Sequence, residues 1–227
     1  MARGKNPERT RARILDAAKR LFLTKGYDGT TMQDIVDGLG DLSKGAVYYH
    51  FRSKEAILDA LGDEDHERQS PAAILDDPTL TGLEKIRTTF RANADDLEHM
   101  QLMGIAYPTL RDPKLLAANL DAWRTTVADM FHTLILQGID DGSIATSYPR
   151  EAAELLALLT NYWLVPTFYP ATEDELRHRV SCLASICAGL GVPVFDDDLI
   201  DRVARAYATL GADDGNTADT AERKEPR

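Results

Sequence analysis

The chemically richest stretch of the chain runs Leu42-Ser43-Lys44-Gly45-Ala46-Val47-Tyr48-Tyr49-His50-Phe51 and continues into Arg52-Ser53-Lys54-Glu55. Small residues and a lysine stand at the front of a helix-sized segment. Two tyrosines and a histidine stand at its back, and a second serine–lysine helix start follows at once. The front of such a helix offers free backbone N–H groups and a positive dipole end to phosphate. Ser43 and Lys44 sit there, and Gly45 and Ala46 are small enough for the backbone to approach a base edge. Tyr48 and Tyr49 can donate hydroxyls to phosphate or lay a ring on a thymine methyl, and His50 stands beside them. Thr31 and Lys54, at two other helix starts, would hold flanking phosphates. Phosphate contacts of this kind supply affinity and base-edge contacts supply specificity. Each residue also has a plainer reading. Val47 and Phe51 belong to a small core, one of Tyr48 and Tyr49 can join it, and Ser43 and Ser53 would cap a helix in any protein.

The elements that must position these residues read as helices. Asn6-Pro7 is a cap followed by proline at the first helical position. Ile14, Leu15, Ala18, Leu21 and Phe22 then recur on one face, and Gly26 closes the first helix. Thr30-Thr31-Met32-Gln33 predicts a capping box, with Thr30 as cap and Gln33 reaching back. Ile35, Val36 and Leu39 are the apolar side of a short second helix that Gly38 and Gly40 stop. Residues 30–50 thus form a helix–turn–helix whose second helix is of a size to enter the major groove. Ser53 caps a fourth helix carrying Ile57, Leu58 and Leu61.

Charge supports this division. The 227 residues carry a formal charge of −11, which by itself argues against a nucleic-acid partner. Residues 1–60 nevertheless hold 11 Lys/Arg against 8 Asp/Glu, whereas residues 61–227 hold 15 against 29. The chain is a basic head on an acidic body. Apolar residues make up 44% of it, enough for a sizeable core.

In the body, Ser70-Pro71, Thr81 with Glu84, Asp112-Pro113, Thr172 with Glu175, and Asp196 predict helix starts. They delimit helices near 81–104, 113–138, 149–168, 172–190 and 196–210, with no alternating strand pattern. Residues 211–227 lose their large apolar side chains and read as a disordered tail. Cys182 and Cys187, five apart, match no zinc or redox motif and read as buried helix residues in a reducing compartment. The N-terminus has no apolar signal region, and no run is long enough to span a membrane, so a cytoplasmic location is expected.

Over Thr10 to Leu61 the sequence resembles the DNA-binding domain of TetR-family (tetracycline-repressor-like) transcriptional regulators. The matching words are Ile14-Leu15-Asp16-Ala17-Ala18, Leu21-Phe22, Gly26-Tyr27, Thr30-Thr31, Asp34-Ile35, Ser43-Lys44-Gly45, Tyr48-Tyr49-His50-Phe51 and Ser53-Lys54-Glu55. The resemblance covers about a quarter of the chain. It implies an all-α homodimer with a three-helix DNA-binding head at 1–61 and a helical effector-binding and dimerisation body at 62–210. The heads would read a palindromic double-stranded operator, and a small-molecule effector would release it. By position, Thr31, Ser43, Lys44, Gly45, Ala46, Tyr48, Tyr49, His50 and Lys54 fall where that family contacts DNA. One departure stands out. The family usually has one residue fewer between Ile35 and Ser43, and here Gly40-Asp41-Leu42 lengthens the turn. Leu42 is expected to take the apolar anchor position, while Asp41 puts a negative charge near the groove.

The body offers no catalytic signature. Asp129 and His132, or Glu98 and His99, make no metal site without further ligands, and no cofactor is implied. Aromatic and methionine residues cluster in its middle. At helical spacing they read first as core, but Met103, Tyr107, Trp123, Phe131 and Tyr162 are the candidates to line an effector cavity. Asp95, Asp96 and Asp129 nearby leave room for a cationic amphipathic effector, but a solvated acidic face is the better reading of them. Ala152, Leu155, Leu156, Leu158 and Leu159, with Val180, Leu183, Ala184, Ile186, Cys187, Ala188 and Leu190, make two helices apolar on most sides. Such helices must be buried from more than one direction, as in a four-helix dimer interface. The competing reading is a small-molecule enzyme or carrier whose head serves only docking or dimerisation.

Overall fold

A computed structural model describes residues 7–68 and 72–211. The described residues form helices and connecting turns. The elements are α1 (Pro7–Lys25), α2 (Met32–Leu39), α3 (Lys44–His50), α4 (Lys54–Arg68), α5 (Ala72–Leu75), α6 (Gly82–Asp95), α7 (Leu97–Thr109), α8 (Pro113–Ala122), α9 (Ala128–Asp140), α10 (Pro149–Leu158), α11 (Glu173–Gly189) and α12 (Asp197–Ala208). Two π-helical turns, Trp123–Val127 and Leu159–Trp163, continue α8 and α10. The expected cap at Asn6, the start at Ser70-Pro71 and residues 212–227 of the expected tail lie outside the described residues.

The head core is built from the face of α1 that the sequence marks. Ile14, Leu15, Ala18 and Phe22 pack on Ile35, Val36, Leu42, Val47, Phe51, Ile57 and Leu61. Leu102 and Ile105 of α7 belong to the same core, so the head is sewn to the body by apolar contact. Each such side chain contributes about 1.5–3 kcal/mol on full burial. The ion pairs at this joint, such as Lys19–Glu98 at 2.6 Å, are worth about 0–1 kcal/mol. Apolar packing therefore holds the head. The body core takes α6, α9, α10, α11 and α12. Gly82 starts α6 where an added Cβ would meet Leu134 O and Gly138 N, each at 2.3 Å, so α6 approaches α9 backbone to backbone.

Several helix boundaries differ from expectation, each for a local reason. Thr31, not Thr30, caps α2, and Asp34, not Gln33, completes the capping box. The Thr30 hydroxyl is turned inward and donates to Gly26 O at 2.8 Å. The expected helix 81–104 breaks at Asp96, whose side chain accepts from His99 N at 2.9 Å and starts α7. The helix expected over 149–168 leaves α geometry after Leu158 and ends with the π turn at Trp163. Cys187 is buried, and burial pushes its thiol up to about 12, but Cys182 is exposed on α11.

Candidate nucleic-acid interface and body cavity

The Gly40-Asp41-Leu42 turn joins α2 to a regular α3 capped by Ser43. Gly40 ends α2 at φ +61°, a conformation that glycine adopts without strain. Leu42 is 5% exposed and drops into the head core, as an apolar anchor must. Asp41 is held by Arg13 of α1, Nη2 donating to Oδ1 at 2.5 Å and Nη1 to Oδ2 at 3.2 Å. The Asp41 carboxylate raises the pKa of the Arg13 guanidinium, and the guanidinium offsets the negative charge next to α3.

Ser43 caps α3, its Oγ accepting from Ala46 N at 3.2 Å. Val47 is fully buried and Phe51 nearly so, and these two fix the helix to the head. The opposite side is bare. Ser43, Lys44 and Gly45 are exposed, and Ala46 and His50 are half-buried. Tyr48 is 38% exposed and Tyr49 84%, so both rings stand off the core. Lys44 Nζ lies 5.7 Å from the Tyr48 ring centroid. Tyr49 meets His50 edge-on at 5.4 Å. Exposed aromatic rings that share a bare side with a cation are suited to a surface that is both anionic and stacked. Arg52 adds a further exposed cation just past Phe51. No helical periodicity marks it, and its only signal is its place in the Phe51-Arg52-Ser53-Lys54 turn.

Two expected phosphate ligands have internal partners. The Thr31 hydroxyl donates to Asp34 Oδ2 at 2.6 Å, and Lys25 Nζ bonds Asp34 Oδ1, also at 2.6 Å. Lys25, followed by Thr31, holds the Asp34 carboxyl well below the usual range. Thr31 itself stays exposed. Lys54 is half-buried, and its Nζ donates to Tyr27 O at 2.8 Å and Thr30 O at 3.3 Å while lying 4.2 Å from the Tyr27 ring centroid. In this geometry Lys54 locks the α1–α2 turn to the start of α4.

In the body, a cavity of about 670 Å³ opens between α8 with its π turn and α10 with its own. Of the five candidate effector contacts, Trp123 and Tyr162 line it. The other three pack elsewhere. Phe131 is core, stacked on Phe90 at 5.6 Å. Met103 packs between the head core and the cluster formed by Met100, Tyr107, Leu110 and Val165. Tyr107 is buried, and its hydroxyl donates to Asn161 Oδ1 at 3.0 Å. The acidic side chains that leave room for a cationic effector in the sequence are engaged with arginines: Asp95 by Arg202, Asp96 by Arg68 and Asp129 by Arg150. No group of three or more His, Cys, Asp or Glu residues among the described residues is placed to hold a metal. No described helix is long and apolar enough to cross a membrane.

A three-helix head presenting the bare side of a short capped helix, carried on an all-helical body, defines a helix–turn–helix DNA-binding protein. The comparisons narrow the class. Residues 14–61 match the family model described as bacterial regulatory proteins, tetR family. An HTH-type transcriptional repressor of Mycobacterium tuberculosis is 43% identical over 63 residues, which are 28% of this chain and 33% of that protein. The HTH-type transcriptional repressor AcnR of Corynebacterium glutamicum is 27% identical over 66% of this chain and 77% of its own length. A solved TetR-family transcriptional regulator from Pectobacterium atrosepticum superposes with a TM-score of 0.60 at 25% identity, over 84% of this chain and 98% of that one. The match thus spans a third of the mycobacterial relative and about three quarters of AcnR. Residues 14–61 therefore resemble the DNA-binding domain of the tetR family, and the relatives and solved structure that match further into the body are themselves transcriptional regulators.

Proposed function

We propose that the protein is a cytoplasmic homodimeric repressor that a small-molecule effector releases from a palindromic operator. The observation that carries the reading is α3 itself, anchored through Val47 and Phe51 and bare along Ser43, Lys44, Tyr48 and Tyr49. In this reading residues 1–61 are the DNA-binding head and 62–210 the effector-binding and dimerisation body, with α4 running across the boundary. Ser43, Lys44 and Tyr49 hold phosphates, Gly45 and Ala46 let the helix approach base edges, and Tyr48, His50 and Thr31 flank them. Lys54 acts first as a support for that surface.

Dimerisation is assigned to α10 and α11. Ala152, Leu156, Val180, Leu183 and Cys187 are consumed by the protomer's own core. Leu155, Leu159, Ala184, Ile186 and Ala188 remain partly or fully exposed, with Ile186 at 39%, while the exposed Leu158 lines the body cavity. Pairing these helices with their two-fold copies buries that residue set and sets two recognition helices about 34 Å apart, one DNA turn. Effector binding is coupled to the head through a continuous set of contacts. Tyr162 lines the cavity, and its neighbour Asn161 accepts from Tyr107 of α7. At the other end of α7, His99 bonds Asp65 of α4 at 2.7 Å. Whatever the effector does to DNA affinity, DNA must do equally to effector affinity.

Footprinting on the DNA directly upstream of the coding sequence tests the reading. Two protected half-sites related by a dyad, with a dimer by sizing, are expected. A protein that protects no fragment, or that binds as a monomer to a single half-site, overturns it.

A further inference from the structure

The cavity between α8 and α10 has a composition that selects a ligand class. Its apolar lining comes from Ala117, Leu120, Trp123, Ala157, Leu158 and Tyr162. Its four ionisable side chains are Asp121, Arg124, Arg150 and Glu154. They cancel in pairs. Arg124 Nη2 bonds Asp121 Oδ1 at 2.5 Å. Arg150 Nε bonds Glu154 Oε1 at 2.7 Å, and its Nη1 bonds Asp129. Two arginines and two carboxylates sum to zero, so the lining offers a charged ligand no net attraction, and a charge desolvated against its apolar wall without a partner is disfavoured. The lining uses both π-helical turns among the described residues. Trp123 and Arg124 come from one and Tyr162 from the other. Single π turns inside α-helices are frequent at functional sites. Tyr162 also crosses to the facing wall, where its hydroxyl donates to Asn119 Oδ1 at 2.6 Å. The cavity falls within the size range of small-molecule sites.

We infer that this cavity takes an uncharged, apolar, ring-bearing small molecule held between the Trp123 wall and the Tyr162 wall. The inference deepens the proposed regulatory function and rests on its assignment of the body as the effector-binding part. It replaces the cationic effector for which the acidic residues of the sequence leave room, because those residues are neutralised by arginines. Three probes that share a 1-naphthylamine unit compare the charge classes. N-phenyl-1-naphthylamine is neutral, 8-anilinonaphthalene-1-sulfonate adds a negative charge, and N-(1-naphthyl)ethylenediamine carries a positive one.

Fluorescence titration of the full chain should show saturable binding of the neutral probe, one per protomer. The two charged probes should bind at least about tenfold more weakly, the cost of about 1.4 kcal/mol or more for an unpaired charge. Trp123→Ala should weaken the neutral probe by a similar factor. Ala117→Trp, placed on an exposed α8 position that borders the cavity, should block it while the circular dichroism spectrum is unchanged. A charged probe that binds as tightly as the neutral one, or neutral-probe binding unaffected by both variants, overturns the inference. Operator binding, measured on the same ligand-free protein, reports separately on the regulator reading. Neutral-probe binding without loss of operator affinity would sustain the ligand class and sink effector release by that class.

Discussion

Arg13 and Asp41 form a two-armed guanidinium–carboxylate pair that ties α1 to the turn ahead of α3. Asp41 is part of the lengthened turn, and its charge would otherwise oppose a polyanion at the recognition helix. The pair converts a liability of the sequence into a brace. Arg13→Ala should remove the guanidinium from beside that carboxylate and weaken operator binding roughly two- to tenfold at low salt. Asp41→Asn should not weaken it. Anisotropy on the same operator checks both, and equal affinity for wild type and Arg13→Ala would show that Asp41 does not face the DNA.

Lys54 is expected to behave as a structural residue. Lys54→Met keeps the aliphatic stem but removes the donor to the Tyr27 and Thr30 carbonyls. The variant should lose about 1–3 kcal/mol in urea unfolding. A variant that unfolds like wild type, and instead lowers the salt dependence of operator binding, would return Lys54 to the phosphate-contacting set.

The head was legible in the sequence because its signals are local. Ser43 caps α3, Leu42 anchors the turn, and Ile14, Leu15, Ala18 and Phe22 bury the face that their spacing marks. Thr30 and Thr31 were not separable, since either can cap. The choice depends on Gly26 O, which takes the Thr30 hydroxyl, and on Lys25, which fixes Asp34. The cavity was legible only by half. Helical spacing places Trp123, Phe131 and Tyr162 on apolar faces but does not say which neighbour each face meets. Phe131 meets Phe90, while the π turns at Trp123–Val127 and Leu159–Trp163, which no periodicity announces, put Trp123 and Tyr162 on the cavity.

Tyr107→Phe isolates the coupling between body and head. The change leaves Asn161 Oδ1, a buried acceptor, without the Tyr107 donor. A loss of about 1–3 kcal/mol of stability is expected. Operator affinity of the ligand-free protein should hold, while its response to a cavity ligand is reduced. Full retention of the ligand response would remove Tyr107 from the coupling route.

The α4–α7 joint should contribute to acid sensitivity. Burial pushes the Asp65 carboxyl up, but His99 and Arg68 outweigh it and leave the group below its ordinary value of about 3.9. A carboxylate depressed on folding adds stability that is fully present above its unfolded pKa and is lost as pH falls through its folded pKa. The stability advantage of wild type over Asp65→Asn should therefore be full at neutral pH and shrink below about pH 4. Denaturant titrations of both proteins across that range measure it. An advantage that stays undiminished below about pH 3 would contradict the assignment.

The most direct test of the central claim is the salt dependence of operator binding by wild type, Lys44→Ala and Tyr49→Ala. Wild-type affinity should fall steeply and linearly on a log–log plot, with a slope of about −0.9 for each phosphate neutralised. Lys44→Ala should make that slope shallower by about 1. Tyr49→Ala, which removes an 84% exposed ring, should lower affinity with the dimer and its helical spectrum intact. Affinities that match wild type in both folded variants, or binding that does not respond to salt, would contradict the placement of α3 on DNA.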